Sequence, residues 1–362
     1  MARVINFSAG PATLPLPALE YAHNEFLDHE GTGMSLIEHS HRGAAYAKVH
    51  EETKELFREL MSIPDTHEVL FMQGGASAQF ALVPMNLRGE GQSADYINTG
   101  VWSDKAMDEA LVTGDAREAG SGKVAGKYLR VPKQAELELD PNAAYVHFTS
   151  NNTIMGTQFF QYPDSGDVPL VADMSSDILW RPIDVSKFGL IYAGAQKNLG
   201  PAGITVLILR KDLAERSPSS IPKIFRYKTI LEGDSLQNTI PTFPVYMVRN
   251  VLRWVRDQGG APAMEKRNRE KAGYVYDMID ESGGFFRCPV ETDSRSVMNP
   301  VFRLPSEDLE KKLVAEAAKA GMVGIKGHRS VGGIRTSIYN AMEPSDVQKF
   351  VDFAKGFAKT NG

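Results

Sequence analysis

The chain has a single cysteine, no long apolar run and only a small excess of negative charge. With one cysteine, Cys288, among 362 residues, an intrachain disulfide is excluded and a reducing cytoplasm is favoured. No apolar segment reaches the length of a membrane span, and the first residues lack the apolar stretch of a signal peptide. The formal net charge of −5 argues against a nucleic-acid-binding surface. We therefore expect a cytoplasmic protein with small-molecule ligands and with neither membrane nor nucleic-acid partners.

The common nucleotide-binding motifs are also missing. The Gly-Gly turn at 74–75 lacks both the Walker lysine and the full G-x-G-x-x-G spacing. It follows the strand-like run 69–73 and leads through Ala76 and Ser77 into a helix-like run. A phosphate at that helix N-terminus would meet free N–H groups and the positive end of the helix dipole. The turn therefore favours a lone cofactor phosphate over a nucleotide.

One lysine lies in an apolar setting. Lys197 falls within the largely apolar run 190–200, where a solvent-seeking ammonium is not ordinarily placed. Burial disfavours the charged form, lowers the pKa and makes the amine a nucleophile suited to a Schiff base with an aldehyde such as pyridoxal phosphate. The alternative is a lysine at a strand end whose stem packs while its head reaches water.

An acid with a matching role precedes this lysine. Asp173 directly follows the strand-like run 168–172. Pyridoxal phosphate works as an electron sink when its pyridine nitrogen is held protonated, and a carboxylate against that nitrogen does so. Asp173 therefore has a function if Lys197 has one. The alternative is an ordinary helix N-cap.

Strands and helices alternate between about residues 45 and 210. A helix is predicted at 104–112, and the apolar runs typical of strands are 94–98, 145–148, 168–172, 190–193 and 205–209. This order predicts an α/β fold with a mostly parallel sheet covered by helices on both faces. In such sheets ligands bind beyond the carboxyl ends of the strands. Gly74, Thr153, Asp173 and Lys197 all follow predicted strands, so one cleft could collect them.

The pattern changes after residue 244. A long helical region at 244–282, with a break at 259–262, leads to predicted strands at 297–304 and 333–339 and predicted helices at 305–320 and 344–358. The last helix should bury Val347, Phe350, Val351, Ala354 and Phe357. We predict an N-terminal segment (1–15) that crosses between domains, a large domain (16–260) and a small C-terminal α+β domain (261–362).

Five stretches resemble the class V aminotransferase group of fold-type I pyridoxal-phosphate-dependent transferases. They are 6–12, 38–42, 74–77, 194–203 and 327–335. The resemblance implies a large domain with a mostly parallel, seven-stranded type of sheet and a smaller C-terminal domain. The lysine stretch marks the wider class, whereas the pairs His41-Arg42 and His328-Arg329 single out its phosphoserine-specific member.

The resemblance also implies a cofactor site for pyridoxal 5'-phosphate, with Lys197 and Asp173 as catalytic residues. Trp102 would stack on the pyridine ring, and Asn238 and Thr239 would reach the phosphate from a neighbouring subunit, which requires a homodimer with a shared active site. The residues so implied are Ala76, Ser77, Trp102, Thr153, Asp173, Gln196, Lys197, Asn238 and Thr239. The alternatives are a core tryptophan, an ordinary loop threonine, a plain polar residue at 196, and Asn238 or Thr242 as the cap of the following helix.

Substrate recognition would depend on basic residues. By the resemblance these are His41, Arg42, His328, Arg329 and Arg335. A guanidinium fork matches both carboxylate and phosphate, although arginine clusters are often only surface salt bridges. Their Gly- and Ser-rich surroundings favour a site. Ser77 departs from the pattern, because some family members carry an arginine there.

The expected reaction is amino transfer between O-phospho-L-serine and 2-oxoglutarate, which gives 3-phosphohydroxypyruvate and L-glutamate in serine biosynthesis. The family also suggests phosphohydroxythreonine as a second substrate, and no metal is expected. The alternatives are a serine-glyoxylate type of enzyme, which needs fewer cations at 328–329, and a nicotinamide-dependent α/β protein with a structural Lys197. A cysteine desulfurase is disfavoured because Cys288 has no obvious activating partner nearby in the sequence.

Overall fold

The computed structural model describes residues 3–362, so Met1 and Ala2 of the predicted N-terminal segment lie outside it. Its α-helices are α1 (Leu16–Asn24), α2 (Ala44–Met61), α3 (Gly75–Leu87), α4 (Val101–Thr113), α5 (Lys211–Ala214), α6 (Tyr227–Glu232), α7 (Thr242–Asp257), α8 (Gly260–Asp280), α9 (Glu307–Lys319) and α10 (Pro344–Asn361). Across residues 3–362, no helix combines the length and the apolar character that crossing a bilayer requires.

The strands range from two to six residues in length. They are β1 (Ile5–Asn6), β2 (His67–Met72), β3 (Ala94–Asn98), β4 (Ala116–Ser121), β5 (Lys123–Val124), β6 (Lys127–Tyr128), β7 (Val146–Thr149), β8 (Asn151–Asn152), β9 (Thr157–Gln158), β10 (Leu170–Asp173), β11 (Leu190–Gly194), β12 (Thr205–Arg210), β13 (Val301–Phe302), β14 (Met322–Val323) and β15 (Ile334–Arg335).

Seven strands form the central sheet, in the order β2-β12-β11-β10-β7-β3-β4. The pairs from β4 to β11 are parallel, whereas β12 runs antiparallel to both of its neighbours. The predicted α/β fold with a mostly parallel sheet is therefore confirmed. The single reversed strand was not predicted, because a strand buried on both faces has the same apolar run in either direction.

Helices cover both faces of this sheet. On one face, α2 and α7 pack against Val69 and Phe71 of β2 and the inner residues of β7, β10 and β11. On the other face, α3 and α4 pack against Leu70, Tyr96 and Tyr192. All residues of β7, β10 and β11 are buried, which explains why these strands are largely apolar. The carboxyl ends of the strands are the part of the sheet left open to ligands.

A separate apolar cluster joins α8, α9 and α10 with β13, β14 and β15. The five apolar residues predicted for the last helix are all buried in α10. The strands predicted at 297–304 and 333–339 shrink to the two-residue β13 and β15. β1 pairs with β14 in parallel, and farther along the amino-terminal segment Ala12 N–H donates to the Gln196 carbonyl at 2.9 Å. The division of the chain near residue 260 remains a prediction.

Candidate active site

Asp173 and Lys197 lie beyond neighbouring strands of the sheet. Asp173 is the last residue of β10, and Lys197 lies in the turn that follows β11. β10 and β11 are parallel, with Asp173 in register with Tyr192. The turn is closed by bonds from the N–H groups of Leu199 and Gly200 to the Ala195 carbonyl, at 3.2 and 2.8 Å. The sheet thus brings the predicted acid and the predicted nucleophile to one edge.

Ser175 holds the Asp173 carboxylate in place. Asp173 Oδ1 accepts hydrogen bonds from Ser175 N at 2.9 Å and Ser175 Oγ at 2.6 Å. Ser175 Oγ in turn accepts from Gly194 N at 3.0 Å, which ties this turn to β11. The residues after Asp173 form turns rather than a helix, so the helix N-cap alternative is wrong. Asp173 is buried, and Oδ2 has no protein hydrogen bond among the described residues.

Burial shifts the pKa values of both Lys197 and Asp173 in the direction of the neutral form. It lowers the pKa of the Lys197 amine, against the attraction of Asp173, and the nearby Arg335 guanidinium lowers it further. Burial raises the pKa of the Asp173 carboxyl, against Lys197 and the two hydrogen bonds from Ser175. The amine is therefore shifted toward its neutral, nucleophilic form. A further positive group beside Asp173 would stabilise the carboxylate.

Trp102 provides a flat wall for the cleft. It occupies the first turn of α4, and its Nε1 donates to Thr153 Oγ1 at 2.9 Å. The Lys197 Nζ lies 5.3 Å from the centroid of the indole ring. Trp102 is only partly buried. The ring is fixed by the Thr153 bond and leaves a planar surface beside the nucleophile, which suits a planar ligand.

The first turn of α3 forms the anion-binding end of the cleft. Gly74 precedes the helix with φ of 97°, and a β-carbon there would come 2.5 Å from the Ala78 β-carbon. A side chain is therefore excluded at Gly74. The N–H groups at the start of a helix have no partner within it, so those of Ala76 and Ser77 are directed to an external acceptor.

These groups line one cavity of about 580 Å³. Nine predicted site residues border it: Ala76, Ser77, Trp102, Thr153, Asp173, Gln196, Lys197, His328 and Arg335. Its volume falls in the range of ordinary small-molecule sites. Among residues 3–362, no group of three or more His, Cys, Asp or Glu side chains is arranged to hold a metal ion.

Arg335 and His328 supply positive charge to this cavity. Arg335 donates from Nη1 to the Thr153 carbonyl at 3.1 Å, while its buried Nε has no partner in the described structure. His328 Nδ1 lies 2.7 Å from Ser330 Oγ. Burial and the charges of Arg335, Arg329 and Lys105 lower the pKa of His328. Among residues 3–362, the Arg335 guanidinium therefore makes a single protein hydrogen bond.

Five predicted residues do not border the cavity of this single chain: His41, Arg42, Asn238, Thr239 and Arg329. Arg42 Nη2 donates to the Leu236 carbonyl at 3.3 Å, which places it beside the loop carrying Asn238 and Thr239. The Thr239 carbonyl accepts from Gln73 Nε2 at 3.2 Å. Neither Asn238 nor Thr242 caps α7, since Pro241 precedes this helix and no side-chain cap is present. The capping alternative is therefore wrong.

Comparison with known proteins places the chain in a family. Residues 4–350 match the family model of aminotransferase class-V proteins. The chain belongs to the class-V aminotransferase family. Similar curated proteins include the phosphoserine aminotransferases of Niallia circulans, 52% identical over 360 residues, and of Desulfatibacillum aliphaticivorans, 55% identical over 361 residues. Each comparison covers 99% of both chains.

Comparison with solved structures supports the same family assignment for this class-V aminotransferase. The phosphoserine aminotransferase of Bacillus circulans subsp. alkalophilus matches with a TM-score of 0.98 and 52% identity, over 99% of both chains. The pyridoxal-phosphate-bound phosphoserine aminotransferase of Trichomonas vaginalis matches with a TM-score of 0.92 and 38% identity, over 99% of this chain and 100% of that one. The predicted fold-type I architecture is confirmed.

The sequence analysis of this class-V aminotransferase missed three groups near the cavity. Ser175 binds Asp173, and a serine two residues after an aspartate is a usable signal for such a turn. Asp177 is buried behind the site, bonded to Ser150 Oγ and to Gln158 Nε2 at 3.1 Å, and burial raises its pKa to about 7. Lys105 extends over Trp102 from the next turn of α4. Nothing in a charged, exposed helix sequence distinguishes such a lysine.

Proposed function

We propose that this class-V aminotransferase transfers an amino group reversibly between O-phospho-L-serine and 2-oxoglutarate. The observation that carries the proposal is full-length similarity to phosphoserine aminotransferases at 52–55% identity, joined to a cavity with a lysine, an acid and unpaired cations. The products are 3-phosphohydroxypyruvate and L-glutamate. Both amino donors combine an α-carboxylate with a distal anion, so one set of cations can serve both.

Pyridoxal 5'-phosphate is the cofactor of this enzyme, as predicted from the sequence and confirmed by the family match and the similar structures. The cavity fits it: Oδ2 of buried Asp173 is open to a cationic partner, and the α3 N-terminus is open to an anion. When bound, the cofactor supplies an electron sink for charge that develops at the substrate Cα. We assign its phosphate to Ala76, Ser77 and Gln196, its ring to Trp102 and Thr153, and its nitrogen to Asp173.

The side chains of the enzyme then have distinct tasks. Lys197 would hold the cofactor before substrate enters, and its freed amine would then move the proton between the substrate Cα and the cofactor C4′, as general base and acid. The lowered pKa suits this exchange, because it increases the share of the amine in the neutral form that can accept the proton. Asp173 keeps the ring nitrogen protonated. Trp102 and Thr153 fix the plane in which the reaction occurs.

Two sets of cations recognise the two ends of the substrate. Arg335 borders the cavity, and its one protein hydrogen bond among residues 3–362 is from Nη1 to the Thr153 carbonyl, which suits binding of the α-carboxylate shared by all amino donors. We assign the distal phosphate to His41, Arg42, His328 and Arg329. A buried guanidinium can hold a carboxylate through two parallel hydrogen bonds, which fixes the Cα position as well as binding the substrate.

Arginine substitutions should separate these two roles. We expect Arg42→Ala and Arg329→Ala to lower kcat/KM for phosphoserine far more than for alanine, whereas Arg335→Ala should lower kcat/KM for every donor. Hydrogen bonds to charged groups contribute roughly 1.5–3 kcal/mol, so each loss should be about one to two powers of ten. Steady-state kinetics with phosphoserine, serine and alanine on the cofactor-loaded variants measure the effect.

Arg287→Ala is a suitable control, because the exposed Arg287 pairs through its backbone with Arg303 and has no role in the proposed site. Equal losses for all donors in Arg42→Ala and Arg329→Ala would refute the division of roles. A wild type that prefers unphosphorylated serine would instead favour the serine-glyoxylate type of enzyme.

We further propose that the working unit is a homodimer in which Asn238, Thr239, His41 and Arg42 serve the partner's cavity. All four lie outside the cavity of their own chain. Apolar side chains in the segment 26–37 support this, since Leu27 is 82% exposed and Ile37 is 52% exposed. Exposed apolar surface of this kind marks interaction sites. A homodimer with a two-fold axis would place the same segment of each chain against its partner.

Mixed dimers test the shared site. Lys197→Ala and the double variant Asn238→Ala, Thr239→Ala should each be weakly active alone. In a mixed dimer, one site has an intact Lys197 from one subunit and intact Asn238 and Thr239 from the other. Random exchange makes about half of the dimers mixed, so activity should recover to about a quarter of the wild-type value.

Exchange itself should be verified by native mass spectrometry of differently tagged subunits. No recovery despite proven exchange would place Asn238 and Thr239 in the site of their own chain. We also propose a cytoplasmic location, which the single, unpaired Cys288 supports, because a chain with one cysteine forms no intrachain disulfide.

A further inference from the structure

The loop 327–333 reaches the cavity through His328. A bond from the Gly327 N–H to the Gly333 carbonyl at 2.8 Å closes the base of the loop, and its tip, residues 329–332, is exposed. An exposed tip buries little apolar surface of its own, so its position depends on the contacts that hold the loop from outside.

An ion pair from two other elements makes these contacts. Arg303 directly follows β13, Glu310 lies in α9, and Arg303 Nε donates to Glu310 Oε1 at 2.6 Å. Arg303 Nη1 also donates to the Val331 carbonyl at 2.9 Å, and Glu310 Oε2 accepts from the Gly333 N–H at 3.1 Å. The pair therefore contacts the loop at two points, one on its tip and one at its base.

Two glycines leave room for the arginine side chain. Gly332 and Gly333 have φ of 74° and 75°, a region that residues with side chains rarely adopt. A β-carbon at Gly333 would come 2.7 Å from Arg303 Cδ and 2.9 Å from the Phe302 carbonyl oxygen. The loop sequence is therefore fitted to the path of Arg303.

The burial of Glu310 indicates a role in geometry rather than in stability. Glu310 is only 6% exposed, whereas the Arg303 side chain is 37% exposed. Removing two charges from water costs about as much as their attraction returns, so such a pair adds little net stability. Glu310 Oε1 also accepts from the Leu304 N–H at 3.3 Å. One carboxylate thus fixes the end of β13, the helix α9 and the loop relative to one another.

Arg335 is held independently of this ion pair. β15 pairs with β13, with Arg335 in register with Val301, and the Arg335 N–H donates to the Ile325 carbonyl at 2.8 Å. The arginine assigned to the α-carboxylate should therefore keep its place when the Arg303 side chain is removed. The loop and Arg335 can be separated by experiment.

We propose that Arg303 and Glu310 are positioning residues that determine the preference for a phosphorylated substrate, because they fix the loop that carries His328 and Arg329. This inference rests on the proposed function and deepens it, since it names the residues that orient part of the phosphate site. Neither residue contacts the substrate; both act through the loop.

The kinetic test uses Arg303→Met, which keeps an apolar stem and removes the bonds to Glu310 and Val331. The two backbone bonds between Arg303 and Arg287, at 2.9 and 2.8 Å, do not depend on the side chain. We expect KM for phosphoserine to rise about 10-fold, while kcat/KM for alanine stays within about twofold of wild type. Arg295→Met is the matched control, because Arg295 pairs with Asp280 at 2.8 Å and bonds otherwise to the Val290 carbonyl.

A double variant separates positioning from stability. Arg303→Met alone leaves the buried Glu310 without its cation, which should lower thermal stability. Arg303→Met combined with Glu310→Met removes both charges, so thermal stability should return close to the wild-type value. The phosphoserine defect should persist, because neither side chain then binds Val331 or Gly333. Recovery of phosphoserine kinetics together with stability would show a purely structural ion pair and overturn the inference.

Two measurements without turnover separate this inference from the proposed reaction. In the cofactor-loaded enzyme, amide hydrogen exchange of the peptide 328–333 should be about 10-fold faster in Arg303→Met than in wild type and Arg295→Met. Calorimetric titration of inorganic phosphate should give a dissociation constant about 10-fold weaker in Arg303→Met.

These results decide the role of Arg303 even if wild type prefers another donor, an outcome that would refute the proposed function alone. The inference is overturned if loop exchange or phosphate binding is unchanged in Arg303→Met, or if Arg295→Met weakens phosphate binding equally. It is also overturned if Arg303→Met impairs alanine as much as phosphoserine.

Discussion

Lys197→Ala should abolish transamination, with a loss of about 10⁴-fold or more, because the substitution removes both the nucleophile and the group that moves the proton at Cα. The protein should still fold, since Lys197 lies in a turn at the cavity and not in the apolar core. Single-turnover kinetics with phosphoserine measure the loss. Lys197→Arg is the matched variant: it keeps a positive charge beside Asp173, but its guanidinium stays protonated, so it should be as inactive as the alanine variant.

The same residue should carry the cofactor. Purified wild type should be yellow, and borohydride reduction followed by peptide mass analysis should place the cofactor on Lys197. Lys271 provides an internal control, because burial also lowers its pKa well below the ordinary value. Its amine, however, donates to the carbonyls of Ile338 and Tyr339 at 2.8 and 2.6 Å and lies outside the cavity. An adduct on Lys271, or on any other lysine, would overturn the assignment.

Replacement of Asp173 should have the second-largest effect. Asp173→Asn keeps an oxygen that can accept from Ser175, so the turn should persist, but the charge that holds the cofactor nitrogen protonated is lost. We expect turnover to fall by about 100- to 1,000-fold, the range found when one preorganised electrostatic group is removed. Thermal stability should change little, because the buried charge is itself costly. Single-turnover kinetics on cofactor-loaded protein measure the effect, and Asp173→Ala should lose at least as much.

Asp177 is the control for this prediction. It is a second buried carboxyl on the same turn, and its bonds to Ser150 and Gln158 direct it away from the cavity lining. We expect Asp177→Asn to retain far more activity than Asp173→Asn. Near-normal turnover by Asp173→Asn would show that another acid faces the ring nitrogen, and a larger loss in Asp177→Asn would identify Asp177 as that acid.

Much of the central sheet could be predicted from the sequence, because most of its strands contain apolar runs bounded by polar turns, whereas β4, which carries Arg117 and Glu118, was not predicted. The strand at 94–98 agrees with β3 at both ends, and the other predicted strands lie within one or two residues of β2, β7, β10, β11 and β12. The strands after residue 260 were harder to predict. Strands β13 and β15 are two residues long, so they have too few positions for a period to appear. β1 was missed for the same reason.

Some residues of the candidate site could likewise be predicted from the sequence, and others could not. Asp173 and Lys197 could be placed because each directly follows a strand, and parallel strands end at one edge of the sheet. The positions of Arg329 and Lys105 depend on the path of a loop and the rotamer of an exposed helix residue, which no sequence period encodes. For Asn238 and Thr239, the chain alone contains no signal of a partner subunit, so only the resemblance suggested a role.

Donor preference tests the central claim most directly. The cofactor-loaded enzyme should be assayed with 2-oxoglutarate as acceptor and with phosphoserine, serine or alanine as donor, by measuring the glutamate formed. The account predicts that kcat/KM for phosphoserine exceeds that for serine and alanine by at least about 100-fold, because at least two charge-assisted contacts to the phosphate are absent for the other donors. Equal or higher kcat/KM with serine, or efficient transfer to glyoxylate and none to 2-oxoglutarate, would contradict it.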